Sequence, residues 1–276
     1  MDSIRWLNAS TPSWRNTSPS GCLPLLTFFH EVYVKQLVVT GTGTDLGKTV
    51  VTAGLLRSLC RAGRDAVAMK PFQTGCQRRA DGTFDRPDLD RVAVVSGWTP
   101  DAGELPDLCP YAFEPACSPH LAARMAKVVP SAETVVSAAR RLALRHEVVI
   151  AETAGGILVP INEHEFMLDW MAALGWPVLV VARAGLGTLN DTLLTLQALQ
   201  GAGLECAGVV LNESTSAGPG FPDALEAAIR DDNVDSLRRL GNVPVLASIP
   251  WLGADLPDLD WVRFEAAFAA GILALF

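Results

Sequence analysis

The chain has 276 residues, 49% of them apolar and 19% charged, and carries a formal net charge of −8. That length can bury a large core inside one α/β domain. The acidic balance, with no run of five Lys or Arg, argues against nucleic acid or an anionic membrane surface as the main partner, because such partners need clustered cations.

Six cysteines occur: Cys22, Cys60, Cys76, Cys109, Cys117 and Cys206. None forms a CxxC pair, and the four histidines add no zinc-type spacing. Reduced thiols in a cytoplasmic protein are the expectation. No segment reaches the roughly 18 unbroken apolar residues of a membrane helix. The apolar tail from Phe264 to Phe276 is shorter, contains Glu265, and reads as a core-facing terminal helix starting near Asp260.

Residues 1–33 hold Trp6, Trp14 and many Ser, Thr and Pro without periodicity. They read as a disordered or loosely packed extension, or as upstream sequence with the true start at Val32 or Val34. Residues 34–276 then form one domain. From Lys35 onward the chain alternates. Gln36–Thr40 is a β-branched run, followed by helical spacing over Lys48–Ala62 that stops at Gly63. Ala66–Lys70 is a second strand, and Asp88–Ser96 and Ser131–Arg145 look helical. Val148–Glu152 is a third strand and Val178–Ala182 a fourth, with a helix over Asn190–Gly201 behind the fourth. Ala207–Leu211 and Pro244–Ile249 complete the set. Near-continuous apolar strands need a sheet covered on both faces. Strands alternating with helices predict a doubly wound, mostly parallel α/β sheet. Ser214–Pro222 and Arg78–Pro87 read as surface loops.

The sharpest signal is Gly41-Thr-Gly-Thr-Asp-Leu-Gly-Lys-Thr49, between a strand and a helix. Backbone N–H groups of such a turn converge on phosphate oxygens, and the helix N-terminus adds partial positive charge. Lys48 would reach the β and γ phosphates and the Thr49 hydroxyl would ligate magnesium. The usual pattern wants Gly six positions before the Lys, where this chain has Thr42. Lys70, at a strand end facing the ligand crevice, would add a second cation. Asp88 could hold magnesium or simply cap its helix, and Asp85 and Asp90 compete for the role. Glu152, at another strand end and shortly before Gly155 and Gly156, fits a metal-binding carboxylate with backbone approaching a ligand.

Together these residues resemble the dethiobiotin synthetase family, whose fold is that of the phosphate-loop nucleoside triphosphate hydrolases. The loop at 41–49 is similar to the family's, including its missing first Gly. Lys70–Gly75 matches its Lys-Pro-x-x-[Ser/Thr]-Gly. Pro110–Phe113 with Ser118–Ala122, Glu152–Gly156, Leu186–Asn190, Asn212 and Ile249–Leu252 match further motifs in order. Thr153 departs from the family's Glu-Gly-Ala-Gly-Gly; a β-branched residue there would be strained if the backbone needed positive φ.

The resemblance implies an ATP-dependent ligase that takes 7,8-diaminononanoate, carbon dioxide and ATP. One amine captures carbon dioxide as a carbamate, the γ-phosphoryl group activates it, and the second amine closes the ureido ring. It implies that Gly43, Thr44, Asp45, Leu46, Gly47, Lys48, Thr49 and Val50 bind the nucleotide, with Asn212, Pro250, Trp251 and Leu252 at the adenine. Lys48 and Lys70 would neutralise charge, with Thr44 and Thr74 on the carbamate and Thr49, Asp88 and Glu152 on Mg2+. Thr74, Gly155, Leu186, Gly187 and Asn190 would meet the diamine. The last three would act across the interface of a homodimer. A partition-type or metal-insertion ATPase shares such a fold but carries an extra Lys early in the loop, and Gly41–Leu46 has none. An amidotransferase-linked ligase needs a glutaminase domain for which the chain is too short. A nucleotide-sensing domain without catalysis stays open. Only the ligase should release phosphate in dependence on the diamine.

Overall fold

In the computed structural model, which describes residues 35–214, 223–253, 256–268 and 271–276, the run QLVVTG forms β1 (Gln36–Gly41), buried along nearly its whole length. The expected extension at 1–33 and the loop after Ser214 lie outside the described residues. α1 (Lys48–Arg61) follows. Its C-terminus closes with Gly63 at φ 73°, whose N–H meets the Cys60 carbonyl, while the Arg64 N–H meets that of Leu59. Glycine carries such a turn because a left-handed conformation costs it nothing.

β2 (Ala66–Met69) is wholly buried, and Lys70 stands one residue past its end. A short parallel pair, β3 (Phe72–Thr74) and β4 (Tyr111–Phe113), flanks α2 (Pro87–Ser96) and α3 (Leu105–Leu108) in chain order, and α4 (Pro119–Met125) follows β4. α5 (Ala132–Arg145) starts on a Ser131 cap, and β5 (Val148–Gly156) follows it. α6 (Met167–Leu174), β6 (Val178–Arg183), α7 (Thr188–Gly201), β7 (Cys206–Asn212), α8 (Asp223–Gly241), β8 (Val245–Ile249) and α9 (Trp261–Ala266) complete the chain.

The main sheet has the order β2-β5-β1-β6-β7-β8 with all pairings parallel. The predicted doubly wound α/β sheet is therefore present, with its six main strands close to their expected positions. The chain winds from β1 toward β2 on one side and from β6 toward β8 on the other. A crevice opens at the C-terminal strand ends where the winding reverses. That is where β1, β2 and β5 deliver the phosphate loop, Lys70 and Glu152.

Some expectations need correction. β5 runs on to Gly156, four residues past Glu152, because its end still pairs with Gly41. α7 begins at Thr188 rather than Asn190. The terminal helix ends at Ala266; Gly271 takes φ 80°, and only a short 3-10 turn at Ile272–Leu275 follows. β3 and β4, with three residues each, are too short to show a period. The fully buried Phe264 of α9 seats on α1 over Gly54, where any Cβ would collide with its ring.

Candidate active site

β1 ends at Gly41 and α1 starts at Lys48, so six loop residues turn the chain over the strand end. Asp45 (φ 57°) and Gly47 (φ 87°) supply the left-handed turns. Gly47 occupies the N-cap without any side-chain cap, and the first turn of α1 carries no acid. The leading N–H groups of a 14-residue helix are thus left for an anion. The Asn212 side chain at the end of β7 donates to the Leu46 carbonyl at 3.0 Å and packs where a Cβ on Gly47 would have to be.

The loop, β2, β5 and α2 surround a cavity of about 570 Å³. Lys48 folds back over the loop and its Nζ donates to the Gly43 carbonyl at 2.6 Å. Burial, aided by repulsion from Lys70, lowers its pKa to about 8 against the pull of Glu152, Asp88 and Asp45. Lys70 Nζ reaches Glu152 Oε1 at 2.6 Å, Asp88 Oδ2 at 2.8 Å and the Thr153 carbonyl at 3.3 Å. Burial opposes this charge, but Glu152 and Asp88 outweigh it and hold the ammonium above the usual lysine range. Burial works against the Asp88 carboxylate too, and Lys70 overcomes it, keeping Asp88 below the usual carboxylate range. The Thr49 hydroxyl donates to the same Glu152 oxygen at 2.8 Å.

Thr49, Lys70, Asp88 and Glu152, widely spaced in sequence, thus form one connected group. Of the competing acids, Asp88 alone faces Lys70. Arg86, not Asp88, holds the N-cap position of α2. Asp90 instead pairs with Arg79 and accepts from the Arg86 N–H, and Asp85 accepts from the Gln77 N–H. Gln73 sets this choice: its Oε1 accepts the Asp88 N–H at 3.2 Å.

Thr44, Asp45, Leu46, Gly47, Val50, Thr74, Gly155, Asn212, Trp251 and Leu252 also line the cavity. Gly43 and Pro250 do not line it, though their chain neighbours Thr44 and Trp251 do. Leu186, Gly187 and Asn190 do not line it; they lie at the exposed head of α7, with Leu186 62% exposed. Phe72, Gln73, Arg91, Ala154 and Glu213 line it without having been singled out in the sequence. Gln73 lay inside the Lys70–Gly75 motif, but Arg91 and Glu213 carried no local signal. Thr153 is not strained. It continues β5 without positive φ; the positive value belongs to Gly155, at 74°.

Residues 35–258 match the family model described as "AAA domain". The ATP-dependent dethiobiotin synthetase BioD of Anaeromyxobacter dehalogenans is 43% identical over 79% of this chain and 91% of its own. That of Anoxybacillus flavithermus is 36% identical over 79% and 92%. The chain belongs to the dethiobiotin synthetase family. The glycine-rich loop at 41–49, Lys70 and Glu152, which carried the resemblance in the sequence, meet at the cavity. The cell division ATPase MinD of Pyrococcus furiosus superposes with a TM-score of 0.51 at 18% identity, covering 88% of this chain and 97% of that one. That likeness concerns the fold alone.

Proposed function

We propose that this chain is an ATP-dependent dethiobiotin synthetase: it joins 7,8-diaminononanoate and carbon dioxide and closes the ureido ring, releasing ADP and phosphate. The observation that carries the reading is the meeting of Lys48, Lys70, Thr49, Asp88 and Glu152 beside a free helix N-terminus, in a chain 43% identical to a dethiobiotin synthetase.

Phosphoryl transfer asks a protein for charge neutralisation and in-line placement rather than covalent help. The α1 N-terminus and Lys48 would bind the β and γ phosphates. Lys70 would face the transferring group, where charge accumulates. Thr44 and Thr74 would hold the carbamate formed when the first amine attacks carbon dioxide and loses a proton. The carbamate oxygen attacks the γ-phosphorus and ADP departs. The second amine then attacks the activated carbonyl carbon, phosphate leaves, and a second proton is lost as the ring closes. No serine or cysteine nucleophile is needed.

The donor set suits magnesium. One hydroxyl and two carboxylates are hard oxygen ligands, and magnesium takes few protein carboxylates and completes its shell with phosphate and water. Thr49, Asp88 and Glu152 would hold it, and it would supply charge neutralisation at the β and γ phosphate oxygens. In their present pairing both carboxylates meet Lys70, so the ammonium already balances charge at that place.

The carboxylate end of the diamine is assigned to Leu186, Gly187 and Asn190 of a second copy in a homodimer. Their exposure, away from the cavity, supports this. A cytoplasmic setting is supported by the cysteines, which are free among the described residues; none of the described helices is long and apolar enough to cross a membrane. The test is mass spectrometry of the product from diamine, bicarbonate and ATP. Ring-closed product with phosphate release that depends on the diamine is expected. Phosphate release indifferent to the diamine would overturn the assignment.

A further inference from the structure

β1 and β5 pair Val39 with Glu152 and then Gly41 with Gly156. Two steps on β1 thus meet four on β5, and the slack falls where Ala154 and Gly155 enter the cavity wall. Such a break needs something to hold it, because the extra residues have lost their ladder partners. The Thr153 side chain spans it. Its hydroxyl donates to the Gly155 carbonyl at 3.1 Å. Since a hydroxyl has one hydrogen, the 3.0 Å contact with Thr40 Oγ1 must run from Thr40 to Thr153. Both threonines are fully buried. The Thr153 carbonyl in turn receives Lys70 Nζ at 3.3 Å.

The segment so held lies close against the phosphate loop. A Cβ on Gly155 would stand 3.5 Å from Thr44 Oγ1, and one on Gly156 would stand 3.4 Å from the Gly41 carbonyl. We propose that Thr153 is a positioning residue: its hydroxyl stitches the register break between β1 and β5, fixing the Gly155 turn against Thr44 and the Thr153 carbonyl against Lys70. The glycine of the family's motif could make neither side-chain bond. This chain has therefore tied by side chains a wall that a glycine would leave to the backbone. The inference rests on the proposed ring closure only for the name of the reaction that it tunes.

The test compares Thr153→Val, which keeps the shape and removes the hydroxyl, with Thr153→Ser, Thr40→Val and the Thr40→Val/Thr153→Val double variant. Phosphate release and melting temperature are followed together. Displacing reacting groups by up to about 1 Å costs as much as about 100-fold in rate. Thr153→Val should lower kcat about 10- to 100-fold and leave the KM for ATP within about twofold. Thr153→Ser should return kcat to within about threefold of the parent, and the double variant should be no slower than Thr153→Val, because both changes cut one chain of bonds. Should Thr153→Val fail to fold, Thr40→Val carries the comparison from the other side of the bond. An unchanged kcat, with or without a lower melting temperature, overturns the proposal. So does a loss shared equally with ATP affinity, a failure of Ser to rescue, or multiplying losses in the double variant. Whether parental phosphate release depends on the diamine decides the ring-closing reading separately; the ratio of variant to parent decides Thr153.

Discussion

Lys70 Nζ and Glu152 Oε1 stand 2.6 Å apart, both side chains almost wholly buried, and Asp88 closes the other side of the ammonium at 2.8 Å. A buried charge held this way loses its compensation when either partner is removed.

Lys70→Gln should therefore act on both stability and rate. The variant leaves Glu152 and Asp88 facing each other, and breaking a buried pair typically costs about 3–5 kcal/mol. Loss of one preorganised electrostatic donor costs on the order of 10²–10³ in kcat, while ATP affinity should change by less than roughly tenfold. Lys70→Arg should rescue only in part, since a planar guanidinium does not replace a compact ammonium. Single-turnover ring closure beside equilibrium nucleotide binding checks this. Near-normal turnover, or rate and binding lost in proportion, would show that Lys70 does not act mainly in the transition state.

Asn190→Ala should raise the KM for the diamine far more than that for ATP. Asn190 sits exposed near the start of α7, away from the nucleotide cavity, which fits a contact made across subunits. Steady-state kinetics with each substrate varied, together with the sedimentation behaviour of the parent, tests it. Equal effects on both substrates, or a parent that stays monomeric at assay concentrations, would count against the assignment.

Phe264→Ala should weaken the whole fold while sparing the chemistry. The ring is fully buried against Gly54 of α1 and touches Trp261 and Phe268 at centroid distances of 5.5 Å each. Emptying such a site costs about 3–5 kcal/mol, or roughly 6–20 °C in Tm for a domain of this size. Differential scanning calorimetry gives the shift. A change under about 2 °C would mean that α9 is not anchored to α1 in solution.

His146 should make stability fall as the medium turns alkaline. Its Nδ1 faces Asp65 at 2.9 Å and its Nε2 faces Glu104 at 3.0 Å, with Arg145 also on Glu104. Burial works against the imidazolium, but the two acids outweigh it and raise the pKa above its usual value. Only the imidazolium can donate from both nitrogens. A raised folded pKa means that the stabilisation is complete below about pH 6.5 and is lost as pH rises through the folded value. His146→Gln should thus melt below the parent at pH 6 and approach it at pH 9. A gap that stays constant with pH would assign the contact no charge.

The sequence by itself carried the strands, the phosphate loop and α1, because apolar runs, glycine spacing and a strand-turn-helix order are local signals. It also pointed to Lys48 at the start of α1, to Lys70 just past the end of β2, and to Glu152 through the glycines that follow it, although β5 runs on past Glu152. Tertiary structure alone decided the rest. Asp85, Asp88 and Asp90 are chemically alike in the sequence; the Gln73 amide and the Lys70 ammonium single out Asp88. Thr153 looked like a liability beside Glu152, yet it is extended and hydrogen bonded, with the positive φ displaced to Gly155. Lys70 and Glu152 are 82 residues apart, and Asn212 and Leu46 are 166 apart. Period and composition report what a residue does with its near neighbours in the chain. The pairing of buried charges and hydroxyls depends on which strand ends the sheet order brings side by side, and that exists only once the chain has folded.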